Sequence, residues 1–145
     1  MDIFEYIVLL KQSTAFSSVR TDDLRVLAPF LERQEVVSGD LIFEMGEMGE
    51  HMYLVEKGVV SIYLQEQGKE RIELARLNRG DWFGEMNLLD DLPRSASAVV
   101  VEDGVLLALQ KERLHGLMAN HPELALGMLK SLSLKIRKTD NKLRC

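Results

Sequence analysis

The chain has 145 residues, 46% of them hydrophobic and 28% charged, and its formal net charge of -5 comes from 18 Lys and Arg against 23 Asp and Glu. Such a chain suits one soluble domain, which buries roughly two thirds of its unfolded surface without help from a disulfide or metal. The balance excludes a broad nucleic-acid surface, which needs clustered cations, but not a small anion held by a few aimed groups.

The one cysteine, Cys145, is the last residue, so an internal disulfide is excluded, and no zinc-type spacing occurs. The acidic opening Met1-Asp2-Ile3-Phe4-Glu5 lacks the basic region of a secretory signal. Apolar runs such as Ile7 to Leu10 are too short to cross a bilayer. The expected setting is the cytoplasm, or the cytoplasmic side of a larger membrane protein, with no direct membrane insertion. The end at Cys145, with no tail after the last helical pattern, suits a stand-alone or excised domain.

Residues 1–30 read as helical. Ile3, Ile7 and Leu10 form an apolar stripe, Phe16 follows in a short turn, and Thr21 is placed to cap a second helix from Asp22 to Phe30. Pro29 marks a kink or exit near its end. From residue 34 to 110 the pattern becomes short apolar or alternating runs punctuated by glycine. Strands are predicted at 34–37, 41–44, 52–57, 59–64, 70–77, 96–101 and 105–109. Gly58 reads as one tight hairpin and Gln67-Gly68-Lys69 as a second. The fold expected is mainly β, an antiparallel roll or barrel with helices at both ends.

After Gln110 the strand signals stop. Lys111 to Asn120 reads as a helix, and Pro122 begins another whose Leu124, Met128, Leu129, Leu132 and Ile136 recur on one face. That face serves either the domain's own packing or a homodimer through the C-terminal helix, and a movable lid over a ligand is compatible with both.

The richest segment runs from Gly80 to Ala98. A short helix after Gly84, expected at 85–91, presents unpaired N–H groups suited to an anion. Arg94 adds a permanently charged planar fork, and Glu85 offers an acceptor for a hydroxyl. The same two charges also suit a simple salt bridge across the loop, so the residue types leave both readings open. Trp82 and Phe83 read as core or rim aromatics. His51, His115 and His121 show no convergent ligand pattern, no catalytic triad is proposed, and neither a catalytic nor a metal site is expected.

This segment closely resembles the phosphate-binding cassette of the cyclic-nucleotide-binding domain family: Phe83-Gly84-Glu85, then Leu88-Leu89, then Pro93-Arg94-Ser95-Ala96. Gly46, Gly49, Met52-Tyr53-Leu54-Val55, Gly58, Val60 and Gly80-Asp81 match the family's upstream pattern, so the resemblance covers nearly the whole chain. It implies a single domain over 1–145: N-terminal helices at 1–30, a jelly-roll-like antiparallel β-roll (a double-stranded β-helix) at 34–110 with its cassette at 80–98, and C-terminal helices at 111–140.

The resemblance further implies that Glu85 binds a ribose 2′-hydroxyl and Arg94 the cyclic phosphate. Backbone N–H groups of Gly84, Asn87 and Ser95 would complete the phosphate shell, beside Met86 and Ala96. Val60, Ile62, Leu74 and Leu77 are candidates for the base side. Asn87 departs from the usual Ala or Ser of the family; its amide either turns to solvent, crowds the phosphate or adds a donor.

The implied ligand is cAMP, favoured over cGMP, acting as a regulatory ligand and not as a catalytic cofactor. The implied output is a conformational change relayed through the terminal helices to an attached effector domain or partner. No helix-turn-helix follows the last helix, and nucleic acid is not an expected partner. The competing expectation is an interaction module that keeps the fold without useful nucleotide binding.

Overall fold

The computed structural model describes residues 3–144, apart from the side chains of 87, 88 and 139–144. Six strands make one antiparallel sheet: β1 (Glu32–Val36), β2 (Leu41–Phe43), β3 (His51–Leu64), β4 (Ile72–Leu77), β5 (Trp82–Phe83) and β6 (Ser97–Gln110). The two long strands, β3 and β6, pair along most of their length, from His51↔Gln110 to Tyr63↔Ser97. Each carries two short strands on its outer edge. β1 and β2 flank successive halves of β6, while β5 and β4 flank successive halves of β3. Side chains from both halves meet in one apolar cluster of Phe43, Val55, Val60, Phe83, Ala98 and Leu106. The long ribbon is therefore folded over on itself, as the expected β-roll requires.

Gly58 corrects one expectation. It is no hairpin turn but the midpoint of β3, and Gly104 occupies the matching position in β6. The register shifts between Lys57 and Val59, and Gly58 has a φ of +96°. A Cβ on Gly58 would lie 2.8 Å from the Glu102 carbonyl oxygen, and one on Gly104 would overlap the Lys57 carbonyl. The two glycines let the backbones touch where both strands bend, a use of glycine that resembles a turn in sequence. The hairpin at Gly68 does form, with a φ of +78° and Leu64 paired to Ile72.

The chain divides into two compact units, one of residues 31–112 and the other of residues up to 30 with those from 113 onward. In the helical unit, α1 (Ile3–Gln12) buries Tyr6, Ile7, Leu9 and Leu10, while Ile3 is exposed. α2 (Thr21–Leu27) starts at Thr21 itself. Arg20 is the N-cap and no side chain closes that end, so Thr21 is not the cap expected. Pro29, which has no N–H to continue the helix, lies in a 3-10 turn at Ala28–Phe30.

α4 (Lys111–Asn120) is followed by α5 (Pro122–Arg144). α5 meets the α1–α2 connection through small residues: a Cβ on Gly127 would lie 2.9 Å from Val19 Cα. The Ser131 hydroxyl accepts from the Ser18 N–H at 3.0 Å and donates to the Gly127 carbonyl at 3.1 Å. The apolar stripe expected on α5 splits in two. Leu124 and Met128 are buried, whereas Leu129 and Ile136 are 62% and 68% exposed. Among the described residues no helix is long and apolar enough to cross a membrane.

Candidate functional site

β5 pairs with β3 through Tyr53↔Phe83 and Leu54↔Trp82, which buries both aromatics of the Trp-Phe step. This two-residue strand was not anticipated, because a pair of residues has no readable alternation. The chain leaves β5 through Gly84, whose φ of +79° suits glycine. Glu85 follows as the N-cap of α3 (Met86–Asp90), but its carboxylate does not cap the helix. Asp91, in the left-handed conformation, ends α3 and forms an ion pair with Lys111.

The return from α3 is held to the turn between β2 and β3. Met48 bridges Pro93, the Gly46 N–H donates to the Arg94 carbonyl at 2.8 Å, and the Arg94 N–H donates to the Glu47 carbonyl at 2.7 Å. These bonds place the Arg94 side chain with little backbone freedom. It is only 4% exposed. Nη1 donates to the Gly84 carbonyl at 3.1 Å, Nη2 donates to the His51 carbonyl at 2.6 Å, and Cζ lies 4.0 Å from the centre of the Phe43 ring. Burial lowers the Arg94 pKa below its ordinary value, opposed by the nearby Tyr53, Glu47, Glu85 and Glu50. Burial also raises the Tyr53 phenol above its ordinary value, an effect Arg94 partly offsets and Glu47 adds to. A buried guanidinium that lines a cleft is a candidate functional group.

Six of the seven expected ligand-binding residues line that single cleft: Gly84, Glu85, Met86, Arg94, Ser95 and Ala96. The side chain of the seventh, Asn87, lies outside the described residues. Glu85 is half-buried, Ser95 exposed and Ala96 buried. Met86 sits on the rim, exposed, and not in the core. The rest of the lining is apolar or aromatic, made by Phe43, Ile62, Leu77, Trp82 and Phe83. Of the base-side candidates, Ile62 and Leu77 do face the cleft. Val60 belongs to the core cluster, and Leu74 is exposed and is not among the cleft-lining residues. Phe43 is the residue that sequence reasoning missed, since an aromatic in a short strand reads only as core. Among the described residues no cluster of His, Cys, Asp and Glu is arranged to hold a metal.

The cleft thus brings together a guanidinium, a carboxylate and apolar side chains, and suits a ligand with an anionic group, hydroxyls and a flat apolar part. Residues 33–121 match the family described as "Cyclic nucleotide-binding domain", and the chain belongs to that family.

Among curated proteins it is similar to the cyclic AMP receptor protein of Thermus thermophilus, with 35% identity over 131 residues, 90% of this chain and 61% of that protein. It is 26% identical over 136 residues to a CRP-like cAMP-activated global transcriptional regulator of Mycobacterium tuberculosis, covering 93% of this chain and 60% of the regulator. The crystal structure of Thermus thermophilus catabolite activator protein superposes with a TM-score of 0.76 at 34% identity, over 90% of this chain and 62% of that one. The N-terminal domain of a Streptomyces coelicolor transcriptional regulator shares the fold, with a TM-score of 0.81 at 24% identity over 93% of this chain and 94% of that one. The chain spans about 60% of the length of the curated relatives it matches.

Proposed function

We propose that the cleft binds a 3′,5′-cyclic purine nucleotide, with cAMP favoured over cGMP, and that residues 1–145 act as one sensor domain. The observation that carries this reading is the buried Arg94 guanidinium, held beside Gly84, Glu85 and Ser95 at the polar end of an otherwise apolar cleft. In this reading Arg94 takes the cyclic phosphate with N–H groups of Gly84, Asn87 and Ser95, and Glu85 accepts from the ribose 2′-hydroxyl. Met86 and Ala96 border the sugar, and Ile62 and Leu77 border the base. A micromolar site needs about 8 kcal/mol. One charge-assisted hydrogen bond supplies roughly 1.5–3 kcal/mol, so burial of the purine on the apolar wall must contribute as well. The similarity to cAMP receptor and cAMP-activated regulators supports cAMP as the first ligand to test.

Binding then acts by favouring one arrangement of the cassette and terminal helices, which relay it to an attached effector domain or partner. A homodimer through α5 is part of this proposal. Ala125, Leu129, Leu132 and Ile136 follow the alternating four-and-three spacing of a helical seam, and two of them are largely exposed.

Calorimetric titration with cAMP and cGMP, with Arg94→Ala as control, tests the reading. The expected result is saturable micromolar or tighter binding that falls at least about 100-fold in a folded Arg94→Ala protein. Trp82, the single tryptophan, lines the cleft and gives an independent fluorescence signal. Absence of binding in nucleotide-free, folded protein would reject the sensor and leave the interaction module.

A further inference from the structure

Phe43, the last residue of β2, is buried, and its ring lies beneath the Arg94 guanidinium at 4.0 Å. The ring is braced in turn: Phe83 lies 5.9 Å and Tyr53 6.2 Å from it, centre to centre, and these two stack on each other at 5.2 Å. The carbonyls of Gly84 and His51 fix the direction of two guanidinium nitrogens. Hydrogen bonds to two nitrogens constrain the plane of the group weakly against tilting, whereas a ring face in contact with Cζ opposes tilt directly. The negative ring face also attracts the cation, and does so more strongly where water is excluded.

We infer that Phe43 is a positioning residue for the anion grip, holding Arg94 in a binding-competent orientation before ligand arrives. The inference rests on Arg94 as the phosphate-binding group proposed above. An aliphatic side chain at position 43 fills the core but lacks the ring's electrostatic face. Its guanidinium would explore more orientations and lose more freedom on binding.

The test uses shape-preserving replacement of Phe43 by 4-fluoro-, 3,5-difluoro- and 3,4,5-trifluorophenylalanine, which weakens the ring face stepwise without opening a cavity. Two quantities are measured: cAMP affinity, and, in ligand-free protein, the rotation of the Arg94 guanidinium from its nitrogen NMR signals. Affinity should fall stepwise, reaching about tenfold with three fluorines, and guanidinium rotation should accelerate in the same order. Phe43→Tyr should bind within about twofold of the parent, since its ring face is retained. Constant affinity and constant rotation across the series overturn the inference while leaving nucleotide binding intact. No cAMP binding by the parent, with rotation still following fluorination, overturns the nucleotide reading and supports Phe43 as the holder of Arg94.

Discussion

Gly84 and Arg94 occupy a space that has no room for one more carbon. A Cβ on Gly84 would lie 2.5 Å from Arg94 Nη1 and 3.3 Å from the His51 carbonyl oxygen. Gly84 also supplies a carbonyl to which the guanidinium donates. The glycine is needed both for its backbone conformation and for the room its missing side chain leaves.

Gly84→Ala should therefore differ from Gly80→Ala in kind. Gly80 also has a positive φ, of +92°, but a Cβ there meets nothing within 4 Å. Each substitution should cost roughly 1–2 kcal/mol of stability through backbone strain. Only Gly84→Ala should also displace Arg94 and weaken cAMP binding, by about tenfold or more. Urea midpoints paired with calorimetry separate the two effects. Equal affinities in the two variants would contradict the account of Gly84.

A second pair contrasts Gly104 with Gly116. Gly104→Ala would drive a methyl group into the Lys57 carbonyl, and a loss of roughly 3 kcal/mol or more is expected from this rigid overlap. Gly116 lies inside α4 with nothing within 4 Å of its would-be Cβ. Gly116→Ala should stabilise by about 0.5–1 kcal/mol. Thermal unfolding of both variants provides the comparison, and a neutral Gly104→Ala would disprove the close backbone approach of β3 and β6 at Gly58 and Gly104.

The contrast between Gly58 and Gly84 shows what was legible beforehand. Gly84, Glu85, Arg94 and Ser95 lie in one short segment whose order carries the site, so they could be read together. Gly58 acquires its meaning from Gly104, a partner in another strand, and a glycine between apolar runs looks alike in a turn and at a bend. Leu74 and Leu77 lie three apart in β4, so alternation puts them on opposite faces, and only the pairing of Leu77 with Val60 and of Ala75 with Ile62 tells which of the two shares the cleft with Ile62. Phe43 was concealed for a different reason: it is a core residue, and its contact with Arg94 adds a second role that composition does not mark.

Tyr53 makes stability depend on alkaline pH. Burial favours the neutral phenol, so the native state retains its proton above the ordinary value of 10.0. Below pH 10 both native and unfolded chains carry that proton, and its contribution is constant. Above pH 10 unfolding releases it, so stability falls as pH rises until the native phenol ionises as well. Subtracting Tyr53→Phe stability from that of the parent should expose this decline, measured by urea unfolding from pH 8 upward. A difference that stays flat through this range would remove Tyr53 as its source.

The exposed seam of α5 predicts an association that charge can break. Leu129→Glu and Ile136→Glu should each convert a dimer to a monomer in light scattering, while the melting temperature of the monomeric fold changes little. A parent protein that is monomeric at all concentrations tested would reject the seam.

The long pairing of β3 with β6 also bears on folding. The β3–β4 hairpin joins residues close in sequence, whereas β3 must find β6 across the whole intervening segment, including the cassette. Contacts of such separation pay a large loop-closure entropy before they return stabilisation, which slows folding. Arg94 reaches the His51 carbonyl from the loop just before β6, whose backbone is held to Gly46 and Glu47. The cleft is lined by residues from Phe43 to Ala96, so a nascent chain that has not yet extended through the cassette lacks part of its wall.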